Sequence, residues 1–159
     1  MYDYDIVEEE NIGGQLYGNS HLGKNKCSSM DEINRDLGMN YNSLCYGEFT
    51  EDSFTMPITF AAFDSITARK LLFEKWKTLD NPSIFIDGRM IAEFSEVFFV
   101  TPDRIEQYEE TLFSEEESQT SDMNCSYKTT NFCATLTSSK IVTGKQRILL
   151  KILQSFFRL

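Results

Sequence analysis

The stretch from Pro57 to Asp87 constrains this chain most, because it reads as strand, helix, strand. PITFAAF (57–63) is a short, mostly apolar run bounded by turn residues. Such a run suits a strand buried on both faces of a parallel sheet. Asp64 and Ser65 follow directly and can cap a helix from about Ile66 to Leu79, with Ala68, Leu72, Trp76 and Leu79 along one face. Asn81–Pro82 ends that helix, and SIFID (83–87) is another apolar strand, broken at Gly88. Two strands joined through a helix imply a crossover unit and an α/β fold.

The rest of the chain extends the pattern. Tyr2–Val7 alternates aromatic and acidic residues before Ile-Val and predicts a strand whose acids emerge at its end. Glu8–His21 is a polar loop containing the Gly13–Gly14 pair. A helix follows from about Gly23 to Leu37, with Gly38 placed to end it. Leu44–Phe49 predicts a strand. Met90–Val100 predicts a strand or strand pair that adds an antiparallel part. Pro102–Phe113 predicts a helix with proline in its first turn. Ser114–Asn124 is a polar, acidic loop, and helical signals return from Asn131 onward, interrupted by Gly144.

Charge and cysteine usage narrow the class. A net charge of −10 argues against general binding of nucleic-acid phosphates. Residues 140–159 nevertheless carry Lys140, Lys145, Arg147, Lys151 and Arg158 with no acid, and Ile148, Leu149, Ile152, Leu153 and Phe156 form an apolar face. This basic tail reads best as a packing helix. An altered reading frame and a membrane-surface helix are the alternatives. Cys27, Cys45, Cys125 and Cys133 form no CxxC pair, so a zinc ribbon is poorly supported and reduced thiols are expected. No signal peptide or membrane-spanning run is visible, so a cytoplasmic location is the expectation.

Several residues carry chemistry worth testing. Asp3 and Asp5, at the end of the first predicted strand, can accept bonds from ribose hydroxyls, or can be exposed acids at a strand end. Asn11, Gln15, Lys24 and Lys26 can surround phosphates before a helix start, or can form a solvated polar loop. Asp64 suits Mg²⁺ beside a triphosphate, or simple helix capping. Arg69, one turn later, can pair with a nearby carboxylate or decorate the helix surface. Asp87-Gly88-Arg89 reads either as a turn presenting Arg89 to an anion or as a tight turn closed by an Asp–Arg pair. Cys125 stands between an acidic loop and a predicted helix, where a thiol is activated. His21 is the single histidine and reads as a loop residue.

Together these pieces resemble the ThiF/MoeB/HesA family, the adenylating core shared with ubiquitin-activating enzymes. The matching pattern is D-x-D-x-V-x-x-x-N-x-x-x-Q followed by G-x-x-K, here Asp3, Asp5, Val7, Asn11, Gln15, Gly23 and Lys26. A strand leading to Asp64, with Arg69 five residues on, follows in FAAFDSITAR; IDGRM and CSYKTTNFC add to the likeness. The resemblance covers residues 1–139, a partial adenylation domain, and leaves 140–159 as a separate basic helix or tail.

The resemblance implies a Rossmann-like, mostly parallel sheet flanked by helices, with a later antiparallel part and truncated at the N-terminus. It implies an ATP- and Mg²⁺-dependent adenylyltransferase acting on the C-terminal carboxylate of a ubiquitin-like or sulfur-carrier protein. Asp3 would hold the ribose, Asn11, Gln15 and Lys26 the phosphates, and Asp64 the Mg²⁺, with Arg69 beside it and Cys125 as the thiol of a thioester or persulfide step. The chain departs from the family in lacking the GxGxxG turn, in having Gly14 where an arginine is common, and in lacking the paired CxxC motif. A homodimer or a complementing chain is expected to pair the exposed sheet. The alternative is a catalytically inactive, truncated interaction module. A dinucleotide-binding oxidoreductase is weaker, because its glycine fingerprint is missing and Asp64 and Arg69 have no role in it.

Overall fold

The structure is a computed structural model that describes residues 1–12, 14–39, 44, 46–91, 94–112, 135–144 and 146. It divides into two compact units, Met1–Ser53 and Phe54–Leu159.

In the first unit, helix α1 spans Lys26–Asp36 and is capped by Asn25, whose side chain accepts from the Ser28 amide. Gly38 takes φ +75° just beyond it, the left-handed conformation that lets a chain leave a helix, as the sequence suggests. The strand predicted over Tyr2–Val7 does not form. Tyr2 and Ile6 make isolated bridges, to Tyr46 and Asn25 respectively. Lys26 N on Asp5 O and Val7 N on Lys24 O, both at 2.8 Å, are the bonds of the Ile6–Asn25 bridge, and the Asn25 side chain donates to Asp3 O at 2.9 Å and Asp5 O at 3.2 Å. The bridge cannot lengthen, because its partner turns into α1 at Lys26 and the Asn25 side chain takes the Asp3 carbonyl. Tyr46 likewise makes only a bridge where a strand is predicted over Leu44–Phe49. Among the described residues of this unit, Val7, Tyr17, Cys27 and Phe49 are the buried apolar ones. Tyr2 stacks on Tyr46 with ring centres 4.9 Å apart.

The second unit is α/β, with an open, mixed three-stranded sheet in the order β1 (Ile58–Ala61), β2 (Ile84–Ile91), β3 (Phe94–Val100). Helix α2 (Ile66–Lys77) makes the crossover, so β1 and β2 pair in parallel, with Ile58 opposite Ile84. Ser65 caps α2 by accepting from Ala68 N. Strands β2 and β3 are antiparallel over the longer register, from Phe85 opposite Val100 to Ile91 opposite Phe94. The antiparallel part is therefore present, but the described sheet is mixed rather than mostly parallel. A 3-10 turn, Pro102–Arg104, leads into the short helix α3, Ile105–Glu109. Helix α4 covers residues 135–144.

Strand periodicity assigns the two faces of the sheet. Thr59, Ala61, Phe85, Asp87 and Val100 face α2 and α3. Phe73, Trp76 and Phe85 are fully buried there, and Phe73 and Phe85 also pack against Tyr108. Burying side chains of this kind stabilises by about 1.5–3 kcal/mol each. The Trp76 indole donates to Pro57 O at 3.0 Å, anchoring α2 to the start of β1. On the other face, β1 is not covered as its apolar run suggests: Ile58 and Phe60 are 39% and 46% exposed.

Gly88 does not break β2. The strand runs through it, with Gly88 opposite Val97. The glycine serves helix packing instead. A Cβ at position 88 would lie 3.3 Å from both Ile141 Cδ1 and Thr137 Cγ2 of α4. Helices therefore lie on both faces of the sheet. Gly88→Val sets two effects against each other, since valine favours a strand but would drive two γ-methyls into α4. Overpacking wins, and the variant should lose about 1–3 kcal/mol in urea unfolding. Unchanged or increased stability would show that α4 does not rest on Gly88.

Candidate functional site

The residues singled out by the sequence fall into two groups, one in each compact unit. In Met1–Ser53, Asp3 and Asp5 lie together. Asp3 Oδ1 accepts from Asp5 N at 2.9 Å, and Asp5 Oδ2 meets Lys26 Nζ at 2.8 Å. Burial alone would lower the Lys26 pKa, but the hydrogen bond and charge of Asp5 outweigh it and leave the ammonium above its ordinary value. Asn11 Oδ1 accepts from Glu8 N at 2.9 Å and so closes its own turn. Gln15 is exposed, and its amide donates to Asn11 O at 3.1 Å. Lys24 pairs with Glu32 at 2.9 Å. The sequence treats His21 as a loop residue, yet it is buried, with Nδ1 accepting from Gly18 N at 2.9 Å.

In the second unit, Asp64 sits where β1 ends and α2 begins. It is exposed. Its Oδ1 accepts from Ser65 N at 2.8 Å. Ser65 does the capping, so the Asp64 carboxylate stays at the surface, at the carboxyl end of a parallel strand. Among the described residues no three His, Cys, Asp or Glu side chains gather into a metal cage. A single exposed carboxylate suits a hydrated Mg²⁺ carried by phosphates, which needs only one or two protein oxygens.

Arg69 does not decorate the helix surface. It is 7% exposed, and its Nε donates to Asp87 Oδ1 at 2.9 Å. One terminal nitrogen, Nη2, donates to the Phe63 carbonyl. Asp87 has no solvent exposure. Its second oxygen accepts from Arg89 Nε at 2.6 Å and from the Tyr108 hydroxyl at 2.8 Å. Arg89 continues to Thr111, through O at 2.7 Å and Oγ1 at 3.0 Å, and lies over the Phe98 ring at 4.3 Å. The Asp–Arg pair read in the sequence as closing a turn is real, but it joins neighbours on one face of a strand. The signal for this is the two-residue spacing of Asp87 and Arg89, which puts both on one face once the strand runs through Gly88. Nothing in the sequence marks Tyr108 as their partner. Cys125 lies outside the described residues.

No family model, no curated protein and no solved structure matches the chain. No helix among the described residues is long and apolar enough to cross a membrane.

Burial first, and then the charge of Asp87, push the Tyr108 phenol far above its ordinary 10.0. A group whose pKa is raised by folding contributes stability that is complete below its unfolded value and is lost as pH rises through the folded one. The urea midpoint should therefore fall as pH climbs above about 10. Tyr108→Phe should cost about 1–3 kcal/mol at neutral pH and fall less steeply in alkali. Lys26 contributes to the same alkaline loss in both proteins. Equal alkaline slopes would exclude Tyr108 as a source of the pH dependence.

Proposed function

We propose that this chain is part of a Rossmann-like adenylation domain of the ThiF/MoeB/HesA type. In this reading it uses ATP and Mg²⁺ to activate the C-terminal carboxylate of a ubiquitin-like or sulfur-carrier protein. A carboxylate oxygen of that protein attacks the α-phosphorus, the bond to the β-phosphate oxygen breaks, and acyl-adenylate and pyrophosphate result. The observation that carries the reading is Asp64: an exposed carboxylate at the carboxyl end of a parallel strand, relieved of capping by Ser65. Open α/β sheets bind ligands at such strand ends.

Asp64 would hold a hydrated Mg²⁺, and that ion would supply neutralising charge at the phosphates. The family resemblance alone would give Asp3 the ribose and Asn11, Gln15 and Lys26 the phosphates. Cys125 is the candidate thiol for a later transfer. Residues 1–159 contain no GxGxxG turn, so in this reading the phosphate contacts fall to the side chains named. The protein acts in the cytoplasm, where its carrier-protein substrate would be found.

A second reading, a non-catalytic interaction module, draws on the commitment of two cations: Lys26 to Asp5 and Arg69 to Asp87. ATP–pyrophosphate exchange in the presence of the carrier protein separates the two. Exchange that falls on the order of 100-fold or more in Asp64→Ala is the expected outcome. Exchange indifferent to that substitution would remove Asp64 from the site. A folded protein that binds no ATP would leave the module.

A further inference from the structure

We infer that Arg69 and Asp87 are positioning residues that fix the Asp64 turn, and that Arg69 is not itself a phosphate ligand. The inference rests on the adenylation reading of Asp64. Arg69 grips that turn through its guanidinium, which donates to the carbonyl of Phe63, the residue immediately before Asp64, while its backbone amide makes the first intrahelical bond of α2, to Ser65 O at 3.1 Å. The turn is closed internally by Ser65 N on Asp64 Oδ1 and by Ala68 N on Ser65 Oγ. The guanidinium is aimed by Asp87, which takes Nε on one oxygen while Arg89 and Tyr108 hold the other.

The chain of contacts therefore runs from α3 and β2, through one carboxylate and one guanidinium, to the backbone beside Asp64. The Arg69 side chain is 8% exposed and that of Asp87 is 0%, so both are withdrawn from solvent. A buried carboxylate held by two arginines and a tyrosine is a costly way to gain stability, since well-packed apolar side chains often do as well. Geometry is what it supplies. The planar fork of arginine can meet a carboxylate and a carbonyl in fixed directions at once, which the single ammonium of lysine cannot do.

The two roles for Arg69 predict opposite results. Asp87→Asn weakens the hold on Arg69. If Arg69 met phosphate, ATP would bind more tightly in EDTA, and Arg69→Lys would keep its charge and most of its affinity. If Arg69 positions Asp64, both variants lose the gain in ATP affinity that Mg²⁺ provides, by about 10-fold as for residues that orient metal ligands, while affinity in EDTA stays the same. The experiment titrates ATP with Mg²⁺ and with EDTA into wild type, Asp64→Asn, Arg69→Lys and Asp87→Asn. Amide hydrogen exchange at Ser65 and Ala68 is followed alongside, with Phe73–Lys77 as the measure of global opening.

The expected result is loss of the Mg²⁺ gain in all three variants. Exchange at Ser65 and Ala68 should be several-fold faster in Arg69→Lys and Asp87→Asn, with Phe73–Lys77 unchanged. A Mg²⁺ gain kept by Arg69→Lys but lost by Asp64→Asn overturns the positioning role alone, as does unchanged exchange at Ser65 and Ala68 in Arg69→Lys. No Mg²⁺ gain in wild type, or a gain that survives Asp64→Asn, overturns the adenylation reading and the inference with it. Should Asp87→Asn fail to fold, Arg69→Lys decides the matter.

Discussion

The Asp87 carboxylate is the group on which the second unit depends. An ionised carboxylate without solvent is tolerable only when donors replace its water. Three do so here: Arg69, Arg89 and Tyr108. Each belongs to a different segment, so satisfying one charge fixes α2, β2 and α3 against each other. Arg89 passes the constraint on to Thr111 and stacks on Phe98 of β3. The polar hub is embedded in the aromatic packing of Phe73, Phe85 and Tyr108, so its bonds operate away from competing water. That setting strengthens a complete network and penalises an incomplete one.

The β1–α2–β2 unit was legible in the sequence because its apolar runs, its Ser65 cap and its helical spacing all favour the same structure. Gly88 was not, because its local meaning as a breaker competes with a distant one. Its missing side chain makes room for Thr137 and Ile141 of α4, some fifty residues later in the chain. Tyr2–Val7 failed for a related reason. Alternating side chains favour a strand only if a partner strand runs alongside, and the partner at Asn25 turns into α1 at Lys26 while its side chain bonds the carbonyls of Asp3 and Asp5. Among the candidate site residues, the sequence identified Asp64 and Arg69 as neighbours at a helix start. It left open whether Arg69 pairs with a carboxylate, because the pairing depends on the alignment of β2 with α2.

Capping and ion pairing sort these residues into those held by the fold and those presented to solvent. Ser65 bonds the Ala68 amide, and Asp64 is left at the surface with one short-range bond. Had Asp64 been the cap, its carboxylate would have turned into the first turn of α2. Arg69 shows the reverse outcome. It lies one turn further on, where the helix faces the sheet, so its charge is taken up by Asp87.

The same reasoning applies to charge in Met1–Ser53. That segment has eleven acids against Lys24, Lys26 and Arg35. Each of those cations is already in an ion pair, with Glu32, Asp5 and Asp31 respectively. A triphosphate approaching this surface would meet a negative field, and freeing a cation from an exposed pair would cost at most about 1 kcal/mol.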